Sequence, residues 1–114
     1  RPNTICMTHM SHFYPQGVNL YFIFEAKMSE IDEYLAYQSG IMDNIQKYGA
    51  AMSHHHGIGK MTAPWLEAQI GKNQMDIYRA LKKHFDPDNI MNPGGTLGLD
   101  LPEHLKRDLI SKKD

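Results

Sequence analysis

Hydrophobic and polar residues alternate along the first part of the chain with the period of two that is typical of β-strands. Large apolar side chains occupy every second position from Val18 to Phe24, which predicts a strand rich in aromatic residues. A shorter pattern predicts another strand over Thr4–Thr8. The sequence YPQG at 14–17 has turn chemistry, because proline fixes φ and glycine accepts a positive φ. We therefore predict a β-hairpin.

A spacing of three to four residues follows and predicts a helix. Apolar residues recur at this spacing from Ile31 to Tyr48. Ser29 and Asp32 resemble a capping box at its start, and Gly49 stands where a left-handed residue would end it. The next segment, AAMS at 50–53, is predicted to be a short buried strand.

Two further helices are predicted in the second half of the chain. Pro64 suits the first turn of one of them, and the sequence GKN at 71–73 separates it from the other. The sequences DPDN at 86–89 and NPGG at 92–95 predict turns that end regular structure. We expect the methionines and the helical aromatic residues to form the core; the predicted apolar sides of the two helices are Trp65, Leu66 and Ile70, and Ile77, Tyr78, Leu81 and Phe85.

The predicted order of strand, strand, helix, strand and helices indicates an α+β fold. The hairpin, helix and short strand look like a fragment of a ferredoxin-like cap. We divide the chain into an α+β part at 1–62, a helical segment at 63–98 and a polar tail at 99–114, which forms at most a weakly held helix. Three strands and one crossing helix rarely close such a sandwich alone. We therefore expect the chain to be part of a larger protein.

Composition and net charge indicate which classes of protein fit this chain. The 114 residues suit about one domain, and 41% hydrophobic with 22% charged residues is ordinary for a soluble globular protein. A net charge of −1 offers no electrostatic basis for binding nucleic acid or an anionic membrane. The one cysteine, Cys6, excludes an internal disulfide framework and fits a reducing compartment. We expect a cytoplasmic protein, with a peripheral membrane association left open.

The sequence SHHHGIGK at 53–60 contains the closest group of candidate functional side chains, three adjacent histidines. Side chains alternate along extended backbone, so His54 and His56 would share one side and His55 the other, and a metal would need further ligands from elsewhere. Imidazoles can exchange protons near neutral pH, and the glycine Gly57 lets backbone approach a ligand closely. Proton transfer, metal ligation and a solvated histidine surface all remain open on this pattern.

Two tyrosines and a lysine are further candidates. A phenol acts as an acid or base when a neighbouring cation lowers its pKa from about 10, which makes Tyr14 and Tyr21 candidates. Tyrosine in a strand is also commonly a packing residue, so that alternative stays open for Tyr21. Lys60 could pair with an anionic group of a substrate, or it could be solvated.

Three stretches together resemble a known family. They are SHFYPQGVNLYF at 11–22, SHHHGIGK at 53–60 and HFDPDNIMNPGG at 84–95, and they resemble the C-terminal part of FAD-linked oxidases of the vanillyl-alcohol oxidase superfamily. The resemblance covers roughly residues 11–97. SHHHGIGK followed by Pro-Trp is similar to the alkylglycerone-phosphate synthase branch of that family.

The chain differs from another branch of the family at the positions of that branch's metal ligands. The hydroxy-acid dehydrogenases of the family carry the stretches His-Ala-Gly-Asp-Gly-Asn-Leu-His and Glu-His-Gly-Ile-Gly, whose outer histidines and glutamate are metal ligands. This resemblance puts Tyr14 and Tyr21 at the two histidines and His55 at the glutamate. Phenols are poor ligands for a divalent ion. We therefore expect no metal site.

The resemblance implies a flavin-assisted exchange of an acyl for an alkyl group, with residues 1–62 as part of a substrate cap. It implies that Tyr14 and His54–His56 are catalytic and transfer protons, that Gly57 and Asn92 contact the cofactor, and that Tyr21 and Lys60 contact the substrate. An FAD-dependent alcohol or 2-hydroxy-acid dehydrogenase is the alternative within the family. An inactive fragment that binds a partner or self-associates is the alternative outside it.

FAD is the implied cofactor, bound mainly by another part of the protein. The chain has no phosphate-binding sequence of the form G-x-G-x-x-G, and the family carries its flavin pyrophosphate loops in an N-terminal domain. We therefore expect that N-terminal domain to be a partner, together with a small-molecule or lipid-precursor substrate and, as an open possibility, a second copy of the chain. The 114 residues alone are expected to be inactive.

Overall fold

The computed structural model describes residues 3–107, and their fold is of the predicted α+β class. The elements in chain order are β1 (Thr4–Tyr14), β2 (Gly17–Ala26), α1 (Ile31–Lys47), α2 (Ala63–Ile70), α3 (Lys72–Phe85) and a 3-10 turn (Glu103–Leu105). The predicted hairpin and helices are therefore confirmed. The chain divides into two compact units between residues 38 and 39, and each is described by itself; the division at 62 and 98 stays a prediction.

The hairpin of the first unit is antiparallel, and its turn is the predicted one. Tyr14 lies opposite Gly17 across the two-residue loop, and Thr4 lies opposite Ala26 at the far end. β1 continues to Tyr14 instead of ending at the predicted Thr8. Polar residues interrupt the hydrophobic alternation after Thr8, but the backbone hydrogen bonds to β2 do not depend on that alternation.

The first turns of α1 pack against one face of the hairpin. The ring of Phe24 lies 6.5 Å from the ring of Tyr34 and 5.4 Å from that of Tyr37, measured between centroids. At the helix start, the backbone N–H of Ser29 donates to the carboxylate of Glu33 at 3.3 Å. The carboxylate that accepts this hydrogen bond is therefore that of Glu33, one residue after the predicted Asp32.

The end of α1 corrects one prediction and confirms another. Gly49 has φ +73°; its N–H donates to Gln46, and the N–H of Ala50 donates to Ile45, which is the Schellman arrangement that a C′ glycine permits. The carbonyl of Ala50 accepts from the side chain of Gln69. The predicted buried strand at 50–53 is wrong, because this segment is irregular and its first polar backbone groups are bound by the helix end and by α2.

The core of the second unit lies where α2 crosses its neighbours. Trp65 and Met75 are 2% and 1% exposed, and the indole N–H of Trp65 donates to Asp43 at 2.6 Å. Leu66 is buried as predicted, whereas Ile70 is only partly buried. Other buried apolar residues of the described chain are Met42 and Ala63.

The predicted apolar side of α3 is largely exposed, which is a correction. Ile77, Leu81 and Phe85 are 59%, 49% and 75% exposed, and the helix presents Met75 to the core instead. Helical spacing identifies residues that share a face but not whether anything in the same chain covers that face. Such a surface is typical of contact with another domain or protein.

Ion pairs connect α2, α3 and the segment that follows them. Arg79 binds Glu67 at 2.6 Å and the carbonyl of Leu99 at 3.2 Å, and Lys106 reaches Glu67 at 3.0 Å. The hydrogen bond from Arg79, with that from Lys106, holds the pKa of Glu67 below its ordinary value despite some burial. Leu99, Lys106 and Arg107 thus contact α2 or α3, and the polar tail at 99–114 stays a prediction; residues 108–114 lie outside the described residues.

Among residues 3–107, no helix is both long enough and apolar enough to traverse a lipid bilayer.

Candidate functional site

The hairpin brings Tyr14 and Tyr21 to one face. Residues paired across an antiparallel ladder point to the same side, and so do alternate residues along each strand. Tyr14 is opposite Gly17, Tyr21 is opposite His9, and Gly17 and Tyr21 are four residues apart on β2. The two phenols therefore share the face opposite to the one that carries Phe24. Tyr14 is 52% exposed within the chain.

Two histidines that sequence reasoning missed lie on the same face. The ring of His9 is 5.6 Å from that of Tyr21, and the ring of His12 is 6.4 Å from it. Ser11 Oγ lies within hydrogen-bond distance of His12 Nδ1, at 2.8 Å. Both lie after Thr8, where the predicted strand ends, and only the observed pairing with β2 brings them beside Tyr21. The face therefore carries two phenols and two imidazoles.

His12 occupies an irregularity in β1. Its φ is +55°, and the pairing shifts register between Ser11, opposite Asn19, and Phe13, opposite Val18. This is a β-bulge, in which one strand carries an extra residue. A left-handed φ is uncommon for residues other than glycine, although histidine is among the less rare cases.

The three consecutive histidines of the second unit lie on bends, so the alternation of side chains along extended backbone does not apply to them. The ring of His55 is 5.1 Å from that of His54 and 4.3 Å from that of His56. His54 and His55 approach each other at 2.8 Å between their Nδ1 atoms. Such a hydrogen bond requires a proton on one Nδ1 and a lone pair on the other, so the pair can share a proton.

The backbone around the histidines turns sharply. Gly57 has φ +78°, and the carbonyl of Gly59 accepts from the N–H groups of Thr62 and Ala63 where the chain enters α2. Lys60 is exposed in this turn. Just before the histidines, the hydroxyl of Ser53 is buried and has no hydrogen-bond partner among the described residues.

Asn92 lies in a loop organised by a buried carboxylate. Asp86 is 7% exposed; its two oxygens accept from the N–H groups of Ile90 and Met91 at 2.9 Å each, and Lys82 pairs with it. Asn92 has φ +50° and lines an open cleft of about 310 Å³ between α3 and the loop. The predicted turns at DPDN and NPGG are confirmed, and Asp86 binds the backbone N–H groups that lie between them.

Acid is expected to release the loop only at low pH. The hydrogen bond from Lys82 and those from the two backbone N–H groups hold the pKa of Asp86 below its ordinary value of 3.8. A carboxylate whose folded pKa is lowered stabilises the fold fully above about pH 5 and loses that contribution as the pH falls below about 4. Protection of the Ile90 and Met91 amides against hydrogen exchange should therefore be full above about pH 5 and fall as the pH drops below about 4. Asp86→Asn should lower the protection at neutral pH and abolish the acid step; a wild-type step above about pH 5 would contradict the assignment.

The predicted site residues thus fall into three groups. Tyr14 and Tyr21 share a face of the hairpin in the first unit. In the second unit, His54–His56, Gly57 and Lys60 lie along one loop, and Asn92 lies in the loop after α3. Their catalytic, cofactor and substrate roles stay predictions, and so does the convergence of Tyr14 with the histidines.

Comparison with known proteins identifies the family. The model of the family described as FAD linked oxidases, C-terminal domain, matches residues 3–96. Alkyldihydroxyacetonephosphate synthase of Dictyostelium discoideum is 41% identical over 95 residues, which are 81% of this chain and 15% of that protein. An uncharacterized FAD-linked oxidoreductase of Escherichia coli (strain K12) is 37% identical over 93 residues, 75% of this chain and 19% of that protein.

A shorter match concerns glycolate oxidase subunit GlcD of Bacillus subtilis (strain 168), which is 43% identical over 54 residues, 47% of this chain and 12% of that protein. No solved structure matches the chain. The chain spans less than a fifth of the length of the three relatives, 12% to 19%. The match over residues 3–96 nevertheless takes in most of the chain, and the chain belongs to the family of C-terminal domains of FAD-linked oxidases.

Proposed function

We propose that this chain is the C-terminal part of an FAD-dependent transferase that exchanges an acyl for an alkyl chain on a lipid precursor, as in the alkylglycerone-phosphate synthase branch. The observation that carries the proposal is the breadth of the similarity to alkyldihydroxyacetonephosphate synthase. It extends over 81% of the chain, against 47% for the glycolate oxidase subunit. The substrate would be an acylated dihydroxyacetone phosphate, and a fatty alcohol would replace the departing fatty acid.

Tyr14 is proposed as the group that removes and returns the proton at the reacting carbon. Its phenol is half exposed within the chain and shares a face with Tyr21, His9 and His12. A positioned acid–base group must reach the proton that it transfers, and a phenol on an open face is available for such contact. Tyr21 on the same face would hold the substrate.

The histidine loop is proposed to pass protons and to hold oxygens of the substrate. The short contact between the Nδ1 atoms of His54 and His55 provides a proton-sharing pair, and His56 stacks edge-on beside it. A pair of this kind can accept a proton at one ring while another leaves from its partner. Lys60, exposed in the next turn, is proposed to contact an anionic group of the substrate.

The loop residues fit part of a flavin. The buried hydroxyl of Ser53 lacks a partner among the described residues, and buried polar groups in native proteins normally have one. Gly57 adds backbone without a side chain at a left-handed φ, and Asn92 adds an exposed amide. Bound FAD would supply the electron sink for the exchange. The pyrophosphate of FAD would be held by an N-terminal domain, because this chain has no matching Gly-rich sequence.

That N-terminal domain is the proposed partner of two apolar surfaces. A two-stranded hairpin is at most marginally stable alone, and this one exposes 72% of Phe13 and 57% of Met10 on the side that carries Phe24. The exposed side of α3 forms the second surface, with Phe85 at 75%. Large exposed apolar areas normally mark interaction sites.

An FAD-dependent 2-hydroxy-acid dehydrogenase is the second candidate. It is favoured by the 43% identity to the glycolate oxidase subunit, which exceeds the 41% identity to the synthase although it covers fewer residues. The two functions differ in electron balance. A dehydrogenase leaves its flavin reduced after each oxidation, whereas the exchange of chains has no net redox change.

Anaerobic spectroscopy of the full-length protein separates the two functions. With the acylated substrate and a fatty alcohol, one fatty acid should be released for each alcohol consumed, and the flavin absorbance should be the same before and after turnover. Glycolate or 2-hydroxyglutarate should leave the absorbance unchanged. Bleaching by either hydroxy acid, without any chain exchange, would overturn the proposal and favour the dehydrogenase.

A further inference from the structure

The bulge at His12 accommodates one extra residue in β1 and thereby changes the side on which the later residues of that strand lie. Alternation along an uninterrupted strand would place Tyr14 with Cys6 and Met10, whose partners across the ladder are Phe24 and Leu20. Tyr14 is instead opposite Gly17, on the side of Tyr21. The change of side occurs between Ser11 and Phe13, where the register shifts.

The extra residue also brings a second side chain to the Tyr21 side. Ser11, opposite Asn19, already faces that side, and the ring of His12 lies 6.4 Å from the ring of Tyr21. Two successive side chains on one face are the signature of a bulge, and bulges commonly redirect side chains near functional sites. Ser11 and His12 are joined at 2.8 Å, which fits a bulge held in a single geometry.

We propose that His12 is a positioning residue, whose left-handed backbone directs the Tyr14 phenol to the face of Tyr21 and His9. The inference rests on the proposed function, in which Tyr14 is the acid–base group. The backbone conformation of residue 12 is the essential feature, and its imidazole, against Tyr21 and Ser11, makes a smaller contribution. His12 does not itself exchange a proton with the substrate.

Three changes at position 12 distinguish the effect of the backbone conformation from the effect of the imidazole. His12→Gly removes the imidazole and accepts φ +55° readily. Deletion of His12 removes the extra residue, so that a regular ladder still pairs Tyr14 with Gly17. His12→Pro locks φ near −65° and makes the observed conformation impossible.

The full-length variants should differ sharply in kcat. His12→Gly and the deletion should keep kcat within a few-fold of wild type. His12→Pro should lower kcat by about 10²–10⁴-fold, the range of a lost acid–base group, with KM changed by only a few-fold. The double variant His12→Pro with Tyr14→Phe should be no slower than the slower single variant, because both changes remove the same contribution. Flavin content and circular dichroism verify that each variant folds.

Several results would overturn the inference. Wild-type kcat in His12→Pro would do so, and so would a loss in His12→Gly or in the deletion as large as that of Tyr14→Phe. If the proline variant fails to fold, the Gly and deletion variants can still refute the inference. Failure of the proposed function looks different, since Tyr14→Phe would then be active. In that case, crystal structures of the deletion and Gly variants still test the role of the bulge. Tyr14 turned to the Phe24 side in either structure would refute the inference.

Discussion

Replacement of Tyr14 by phenylalanine in the full-length enzyme is expected to lower kcat by about 10²–10⁴-fold, the usual contribution of a positioned acid–base group. The change removes one oxygen and keeps the ring. Tyr14 is half exposed at the end of β1, so little packing should be lost, and FAD content should stay unchanged. Release of fatty acid from the acylated substrate is the measurement.

Tyr48→Phe is the matched control for Tyr14→Phe. Tyr48 is 74% exposed at the end of α1, beside Lys47, and has no proposed part in the chemistry. Its loss of a hydroxyl should change kcat by less than about two-fold, since exposed positions away from the site have small effects. Equal rates for both variants and wild type would remove Tyr14 from catalysis.

Replacement of Trp65 by alanine is expected to lower the free energy of unfolding of the second unit by about 3–5 kcal/mol, as for other large buried aromatic residues. The indole is 2% exposed, donates to Asp43 at 2.6 Å and lies 5.4 Å from the guanidinium of Arg107. The change leaves a cavity and an unpaired carboxylate. Urea unfolding followed by circular dichroism measures the loss, because the chain has one tryptophan and fluorescence is lost with it.

Ile90→Ala is the comparison for Trp65→Ala. Ile90 is 78% exposed, and its side chain should contribute less than about 0.5 kcal/mol, as is usual for surface positions. A domain stabilised by roughly 5–15 kcal/mol loses a large part of that with Trp65→Ala. A loss below about 1 kcal/mol would show that the core is not centred on Trp65.

Features that depend on a few neighbouring residues were predicted well. The turn at 14–17, the Schellman end of α1 at Gly49 and the start of α2 near Pro64 all follow from residues with restricted or unusual backbone conformations. Such residues act within four or five positions along the chain. Their effects can therefore be read without knowing what the segment contacts.

Features that depend on distant contacts were missed. The segment at 50–53 is apolar enough for a strand, but its backbone binds the end of α1 and the side chain of Gln69. The apolar side of α3 was predicted to be buried, but within this chain it is exposed. His9 and His12 were not predicted as part of the candidate site, because only the pairing with β2 reveals that they lie beside Tyr21.

By itself, the sequence determined the α+β class, the order of the helices, the hairpin and the residues capable of proton transfer, because these follow from side-chain chemistry and local backbone preference. Only the tertiary structure decided that Tyr14 faces Tyr21, that His54 and His55 share a hydrogen bond and that Asp86 organises the loop of Asn92. Each of these depends on a register or a bend. One extra residue in a strand turns every later side chain to the other face, and a pattern of hydrophobic positions does not record that residue.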